Sequence, residues 1–187
     1  MARKSNWIDT AVAVLTDEGS AHLTIDRLSA ELGLSKGSFY HHFKSYDAFK
    51  GEVLSRYEWE STTSLIAAAE TDGEQDPIHK LRRLVELATE PGLQAGLQGA
   101  VRAWSMQDQA VRAVQDRIDQ ARLDYVSSLW REFGCSADEA LTRAKTLYLL
   151  LIGGRQLAAY VTAEDLREIC LRAIAADSRE PSTEQGR

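Results

Sequence analysis

The chain has 187 residues, 44% hydrophobic and 27% charged, with a net charge of −6 and only three prolines. Those proportions exclude general disorder, allow one sizeable core or two small ones, and favour an all-helical fold rich in Ala, Leu, Arg and Glu. The longest apolar run, Leu147 to Ile152, is far too short to cross a bilayer, and Asp9, Asp17 and Glu18 stand where a secretory stretch would be apolar.

A first helix is expected over Ser5 to Glu18, where Trp7, Ala11, Val14 and Leu15 share a face and Gly19 ends it. The next stretch, Thr24 to Phe43, reads TIDRLSAELGLSKGSFYHHF. Thr24 can cap a helix whose Ile25, Leu28 and Leu32 recur at spacings of three and four, and Gly33 tolerates the left-handed conformation that ends it. Ser35 caps a second short helix, anchored inward by Phe39 and Phe43, which leaves Lys36, Gly37, Ser38, Tyr40 and His41 outward. Two helices joined by a few residues containing glycine make a helix-turn-helix.

Ser45 caps a fourth helix with Asp47 in its first turn, where the helix dipole favours negative charge. Phe49, Val53, Leu54 and Tyr57 form its stripe, and no proline or glycine follows before Trp59, Leu65 and Ile66. Head and body are therefore expected to share one lever-like helix. The polar segment Thr71 to Pro77 is the clearest break. A fifth helix follows from Pro77 to Thr89, with Ile78, Leu81, Leu84, Val85 and Ala88 inward, and Glu90-Pro91-Gly92 breaks it. A sixth carries Leu93, Leu97, Ala100, Val101 and Trp104. A seventh steps through Val111, Val114, Ile118, Ala121, Tyr125, Leu129 and Phe133 to Gly134. Ser136 with Glu139 forms the sequence of a capping box for an eighth, through Leu141, Ala144, Leu147, Leu151 and Ile152 toward Tyr160. A ninth, capped by Thr162, carries Leu166, Ile169, Cys170, Ala173 and Ile174. From Ser178 the chain is polar and expected to fray.

Charge is uneven along the chain. Arg3, Lys4, Arg27, Lys36, Lys44, Lys50 and Arg56 balance the acidic residues of positions 1–56, so the remainder carries the whole −6. A neutral head with basic groups near its helix ends suits contact with phosphate at one end only. Cys135 and Cys170 lack metal-type spacing and read as reduced, buried thiols of a cytoplasmic protein. His41 and His42, adjacent on a helix, point about 100° apart and do not share an ion easily. His79, one face from Glu86, reads as a solvated helix-face residue, with a metal or acid–base site facing a pocket as the rival. No cofactor or metal is implied, and neither a nucleophile–base pair nor a zinc spacing points to an enzyme.

The run TIDRLSAELGLSKGSFYHHFKSYDAF, after one helix and before a long helical body, resembles the tetracycline-repressor (TetR/AcrR) family of bacterial transcription regulators. The likeness lies in the capping threonine, the Gly-Leu-Ser turn and the small-aromatic-Tyr-x-His-Phe sequence, and covers about the first quarter of the chain. It implies an all-α homodimer with a three-helix DNA-binding head over residues 1–48. A body of about six helices over 49–177 would hold a small ligand and the dimer contact, before a polar tail at 178–187. It implies that Lys36, Gly37 and Ser38 face base edges in the major groove of a palindromic operator. Thr24, Ser35, Tyr40, His41 and Lys44 would grip backbone at the helix ends, with Arg27 serving either role. Relatives usually place a lysine after the serine that starts the fourth helix. Here Tyr46 stands there, and could still donate to phosphate without charge. Asp26, outward beside DNA, would repel the backbone or select a cytosine amino group.

The body has no recognisable motif. Trp59, Trp104, Met106, Tyr125, Trp130 and Tyr148 read either as ordinary core or as the lining of a cavity for an apolar or aromatic ligand, with Gln98, Arg102 and Gln107 as polar anchors. Gly153 and Gly154 cost the eighth helix about 1 kcal/mol each against alanine. A close dimer contact with Leu147, Leu151, Ile169 and Ala173 would account for them, and a ligand-responsive kink is the rival. The sequence thus predicts a repressor released by a small molecule, with a DNA-binding dimer lacking ligand control as the alternative. A helical small-molecule enzyme tethered by a helix-turn-helix is the more remote one.

Overall fold

The computed structural model describes residues 3–71, 73, 75–90 and 93–178, with the side chains of residues 93–95 outside it. The expected break at Pro91-Gly92, the inward side chain of Leu93 and most of the tail lie outside the described residues. Those residues are all-helical: α1 Lys4–Asp17, a 3-10 turn Ser20–His22, α2 Ile25–Leu32, α3 Lys36–His42, α4 Tyr46–Glu58, a π-helical turn Trp59–Thr63, α5 Ser64–Glu70, α6 Pro77–Thr89, α7 Leu93–Ser105, α8 Gln109–Glu132, α9 Ala137–Gln156 and α10 Ala163–Asp177.

The elements sort into two compact units, residues 1–61 with 92–118, and 62–91 with 119–187. In the first, α1 packs on α2, α4 and α7. Trp7, Ala11 and Leu15 of α1 are wholly buried, together with Leu28, Phe39, Phe49, Val53, Val101, Val111 and Ile118. Each large side chain so buried contributes about 1.5–3 kcal/mol relative to exposure. The α1–α7 approach is close: a Cβ on Gly96 would lie 2.8 Å from Thr16 Cγ2, so the small residue of α7 serves that packing. Ion pairs brace the same unit. Lys50 Nζ lies 2.9 Å from Asp108 Oδ2, whose other oxygen accepts the Ala110 and Val111 N–H groups at the start of α8, and Arg117 forks onto Glu58.

In the second unit α10 packs on α6 and α9, and α5 on α6. Its core holds Leu81, Val85, Leu129, Trp130, Ala140, Ala144, Leu147, Leu166, Cys170 and Ile174. Burial pushes the Cys170 thiol up to about 11, so it stays protonated and unreactive at neutral pH.

Three expectations change. The fourth helix is not one regular rod: α4 gives way to the π turn at Trp59 before α5 begins. The capping box at Ser136 is half made. Ser136 Oγ accepts the Glu139 N–H, but the Glu139 carboxylate goes to Arg143 instead of back to the cap. The reciprocal box forms at Thr162 and Asp165. Finally, α9 stops at Gln156, short of Tyr160.

Candidate nucleic-acid interface

The head is built by local chemistry. Thr24 Oγ1 accepts the Arg27 N–H at 3.2 Å, and Asp26 sits in the first turn of α2. Gly33 closes α2 at φ +64°, and the Leu34 N–H returns to the Ser29 carbonyl at 2.9 Å, the left-handed closure that favours glycine. Ser35 Oγ then accepts the Ser38 N–H at 3.3 Å and starts α3. Phe39 and Phe43 turn inward, so α3 presents Lys36, Gly37, Tyr40 and His41 to solvent, with Ser38 partly buried. Thr24, Ser35 and Lys44 are exposed beside them. A Cβ on Gly37 would meet only Ser35 Oγ, at 3.5 Å, so the head's own packing makes no demand for glycine there.

The charges on this surface are mostly spoken for. Arg27 Nη2 lies 2.6 Å from Glu18 Oε1 and Nη1 lies 2.7 Å from Glu31 Oε2, while Nε reaches both Glu18 oxygens at 3.2 Å. These carboxylates hold the guanidinium charged and fix it as a strut between the end of α1 and α2. Lys36 Nζ lies 2.6 Å from Asp26 Oδ1, a bond that raises the lysine pKa. Lys44 forms no ion pair among the described residues.

Tyr46 is committed elsewhere. Its hydroxyl donates its hydrogen to the Leu23 carbonyl and its ring tilts against Phe49, 5.9 Å between centroids. Burial raises the phenol pKa. A phosphate contact through that hydrogen would require the bond to Leu23 to break, so here Tyr46 joins the start of α4 to the turn before α2. Tyr46→Phe is therefore expected to cost about 1 kcal/mol in urea unfolding, a typical net hydrogen-bond contribution, and to leave DNA affinity in anisotropy titrations unchanged. Weakened DNA binding without lost stability would show the hydroxyl at work on phosphate.

The residues proposed from sequence to line a cavity are divided between the two units. Trp59, Trp104 and Met106 belong to the first unit, and Tyr125, Trp130 and Tyr148 to the second. Trp104 and Trp130 are core, whereas Trp59 is 58% and Met106 71% exposed. Tyr148 donates to Asp119 Oδ1 at 2.6 Å and accepts from Arg122 Nη1 at 3.2 Å; Tyr125 donates to Glu70 at 2.8 Å. An open groove of about 550 Å³ between α6 and α10 is lined by charged side chains, among them Arg82, Glu86 and Arg167, and by none of those aromatics. Of the glycine pair, Gly153 is exposed. A Cβ on Gly154 would meet Leu166 Cδ1 at 2.4 Å, so the chain's own α10 occupies that space. Leu147 is buried, Leu151, Gly154 and Ala173 are partly buried, and Ile169 is 42% exposed. Among the described residues no group of three or more His, Cys, Asp or Glu could hold a metal, and no helix is long and apolar enough to cross a membrane.

Residues 8–50, the span of this head, match the family model described as bacterial regulatory proteins, tetR family. Over 57 residues the chain is 41% identical to the uncharacterized HTH-type transcriptional regulator YerO of Bacillus subtilis, a stretch covering 30% of this chain and 19% of that protein. A TetR-family transcriptional regulator of Streptomyces coelicolor superposes with a TM-score of 0.79 at 18% identity, over 94% of this chain and 87% of the other. A Saccharomonospora viridis protein solved in complex with choline gives 0.72 at 22% identity, over 92% and 95%. At these identities the structural likeness is one of fold.

Proposed function

Since the chain belongs to the tetR family of bacterial regulatory proteins, we propose that it is a cytoplasmic DNA-binding transcriptional regulator. In this reading it is a repressor that holds a palindromic operator as a homodimer and leaves it when a small molecule binds. The observation that carries DNA binding is α3: a short helix pinned by Phe39 and Phe43 whose solvent side offers Lys36, Gly37, Tyr40 and His41. Lys36 and Ser38 reach base edges, Gly37 lets the groove come close, and Thr24, Ser35, Tyr40, His41 and Lys44 hold phosphate. Residues 1–48 act as the reading head and 49–177 as the regulatory body.

A second copy of the chain supplies the second head, with half-sites about 34 Å apart. Support for pairing comes from α9 and α10, where Leu149 is 70% and Ile169 42% exposed, two of nine exposed large apolar side chains among the described residues. The release step requires a ligand that binds the DNA-competent and DNA-incompetent arrangements unequally. The choline-bound relative supports a small organic ligand in this fold. The packing of Trp104 and Trp130 into cores favours the second reading, a DNA-binding dimer with no ligand. Footprinting of the full-length protein over its own promoter region is expected to protect a palindrome. Absence of protection across genomic fragments would sink the DNA reading, and a ligand screen that never weakens the footprint would favour the second.

A further inference from the structure

The reading surface holds a feature that its stability does not explain. Asp26, in the first turn of α2, and Lys36, the first residue of α3, are paired at 2.6 Å across the helix-turn-helix. Their side chains are 74% and 60% exposed, and a pair that open to solvent adds little to the fold. A carboxylate on a surface that approaches phosphate weakens binding to any sequence. The arrangement thus adds little to stability and is a cost to general affinity, and its chemistry is specific: an ammonium donor and a carboxylate acceptor stand side by side on the face of the head that carries α3.

A G·C pair presents the complement in the major groove, with guanine N7 and O6 as acceptors beside the cytosine N4 amino donor. We propose that Asp26 and Lys36 act as one unit that reads a single G·C pair in each half-site, the Lys36 ammonium donating to guanine O6 and N7 and the Asp26 carboxylate accepting from cytosine N4. At an A·T pair the adenine N6 amino group replaces guanine O6 and thymine O4 replaces cytosine N4. Donor then faces donor and acceptor faces acceptor, and the ion pair remains closed on itself. Closed, it withholds the Lys36 charge from phosphate, so binding elsewhere is weakened. Asp26 therefore determines specificity by rejecting wrong sequences as well as by matching the right one. Arg27 cannot take this role while Glu18 and Glu31 hold its guanidinium.

This rests on the DNA-binding reading, and the test separates the two. Full-length protein, Asp26→Ala, Lys36→Ala and the double variant are each used to select duplexes from a random library. Each is then titrated by anisotropy against selected and unrelated DNA over a range of salt. The parent is expected to select G·C at one position of each half-site. Asp26→Ala should relax that position about 10- to 100-fold, the discrimination typical of a good base contact, leaving the other positions alone. It should also bind unrelated duplex more tightly, with a salt slope steeper by about 1 per head. Lys36→Ala should relax the same position, and the double variant should relax it no further than either single change. Both side chains are exposed, so all variants fold. If Asp26→Ala keeps the parental preference, or weakens all sequences alike, the pair does not read bases. If the parent itself selects no sequence, the DNA reading fails first and this inference with it.

Discussion

Phe39→Ala is expected to be the most damaging single change in the head. The ring is wholly buried and stands edge-on to Trp7 of α1, 5.4 Å between centroids at 80°, and to Phe49 of α4, 5.1 Å at 68°, with Phe43 tilted at 5.1 Å. One side chain of α3 thus touches both α1 and α4. Removing a buried aromatic ring typically costs about 3–5 kcal/mol, through lost transfer energy and the cavity left behind. Against a total stability of about 5–15 kcal/mol, that takes a large share. In a chain of this size each kcal/mol lowers the midpoint by about 2–4 °C, so the thermal transition should fall by roughly 10 °C and DNA binding should be lost well below it. Tyr40→Ala, one residue along and 56% exposed, is the control: stability should hold while DNA affinity drops. A Phe39→Ala protein as stable as the parent would show that the aromatic cluster does not fix α3.

That contrast marks what was legible in the sequence. The head could be read because its determinants are local: Thr24, Ser35 and Ser45 each cap the helix they precede, and Gly33 ends α2 at positive φ. What could not be read was set by distant partners. The α1–α7 contact at Gly96 and Thr16 joins residues far apart in the chain, so no local pattern marks Gly96 as a contact point. The π turn at Trp59 carries no proline or glycine to announce it.

For the candidate site, residue types were legible and their commitments were not. The spacing of Arg27 and Glu31 is that of an i,i+4 pair, yet the stronger hold on Arg27 comes from Glu18, at the end of another helix. Tyr46 stands where a relative's lysine would meet phosphate, but its acceptor is the carbonyl of Leu23, which no pattern indicates. Gly154 invited a partner chain because a bare helix surface suggests a close neighbour, and the neighbour is Leu166 of the same chain. The aromatics of the body were chosen by size and polarity alone. Such a criterion cannot tell a core tryptophan from an exposed one, and the set contains both.

In the second unit a large effect is expected from Arg143→Ala. Arg143 is only 9% exposed. Nη2 lies 2.6 Å from Glu139 Oε1, Nη1 donates to the Asp177 carbonyl at 2.6 Å, and the guanidinium lies 5.0 Å over the Trp130 ring. One side chain therefore ties α9 to the C-terminal end of α10, where carbonyls lack intrahelical partners and the dipole favours a cation. It also covers a core tryptophan. Charge-assisted hydrogen bonds contribute about 1.5–3 kcal/mol, and a desolvated cation–π contact up to about 2, so truncation should cost roughly 2–4 kcal/mol in urea unfolding. Arg143→Met keeps the stem against Trp130 and loses the fork, so it should recover the packing share alone. Arg143→Lys keeps the charge but not the planar two-armed geometry, and should fall between. Because α10 carries half of the proposed pairing surface, fraying at Asp177 should also weaken the dimer in sedimentation. If all three variants unfold where the parent does, Arg143 does not anchor α10, and the half-made box at Ser136 needs another cause.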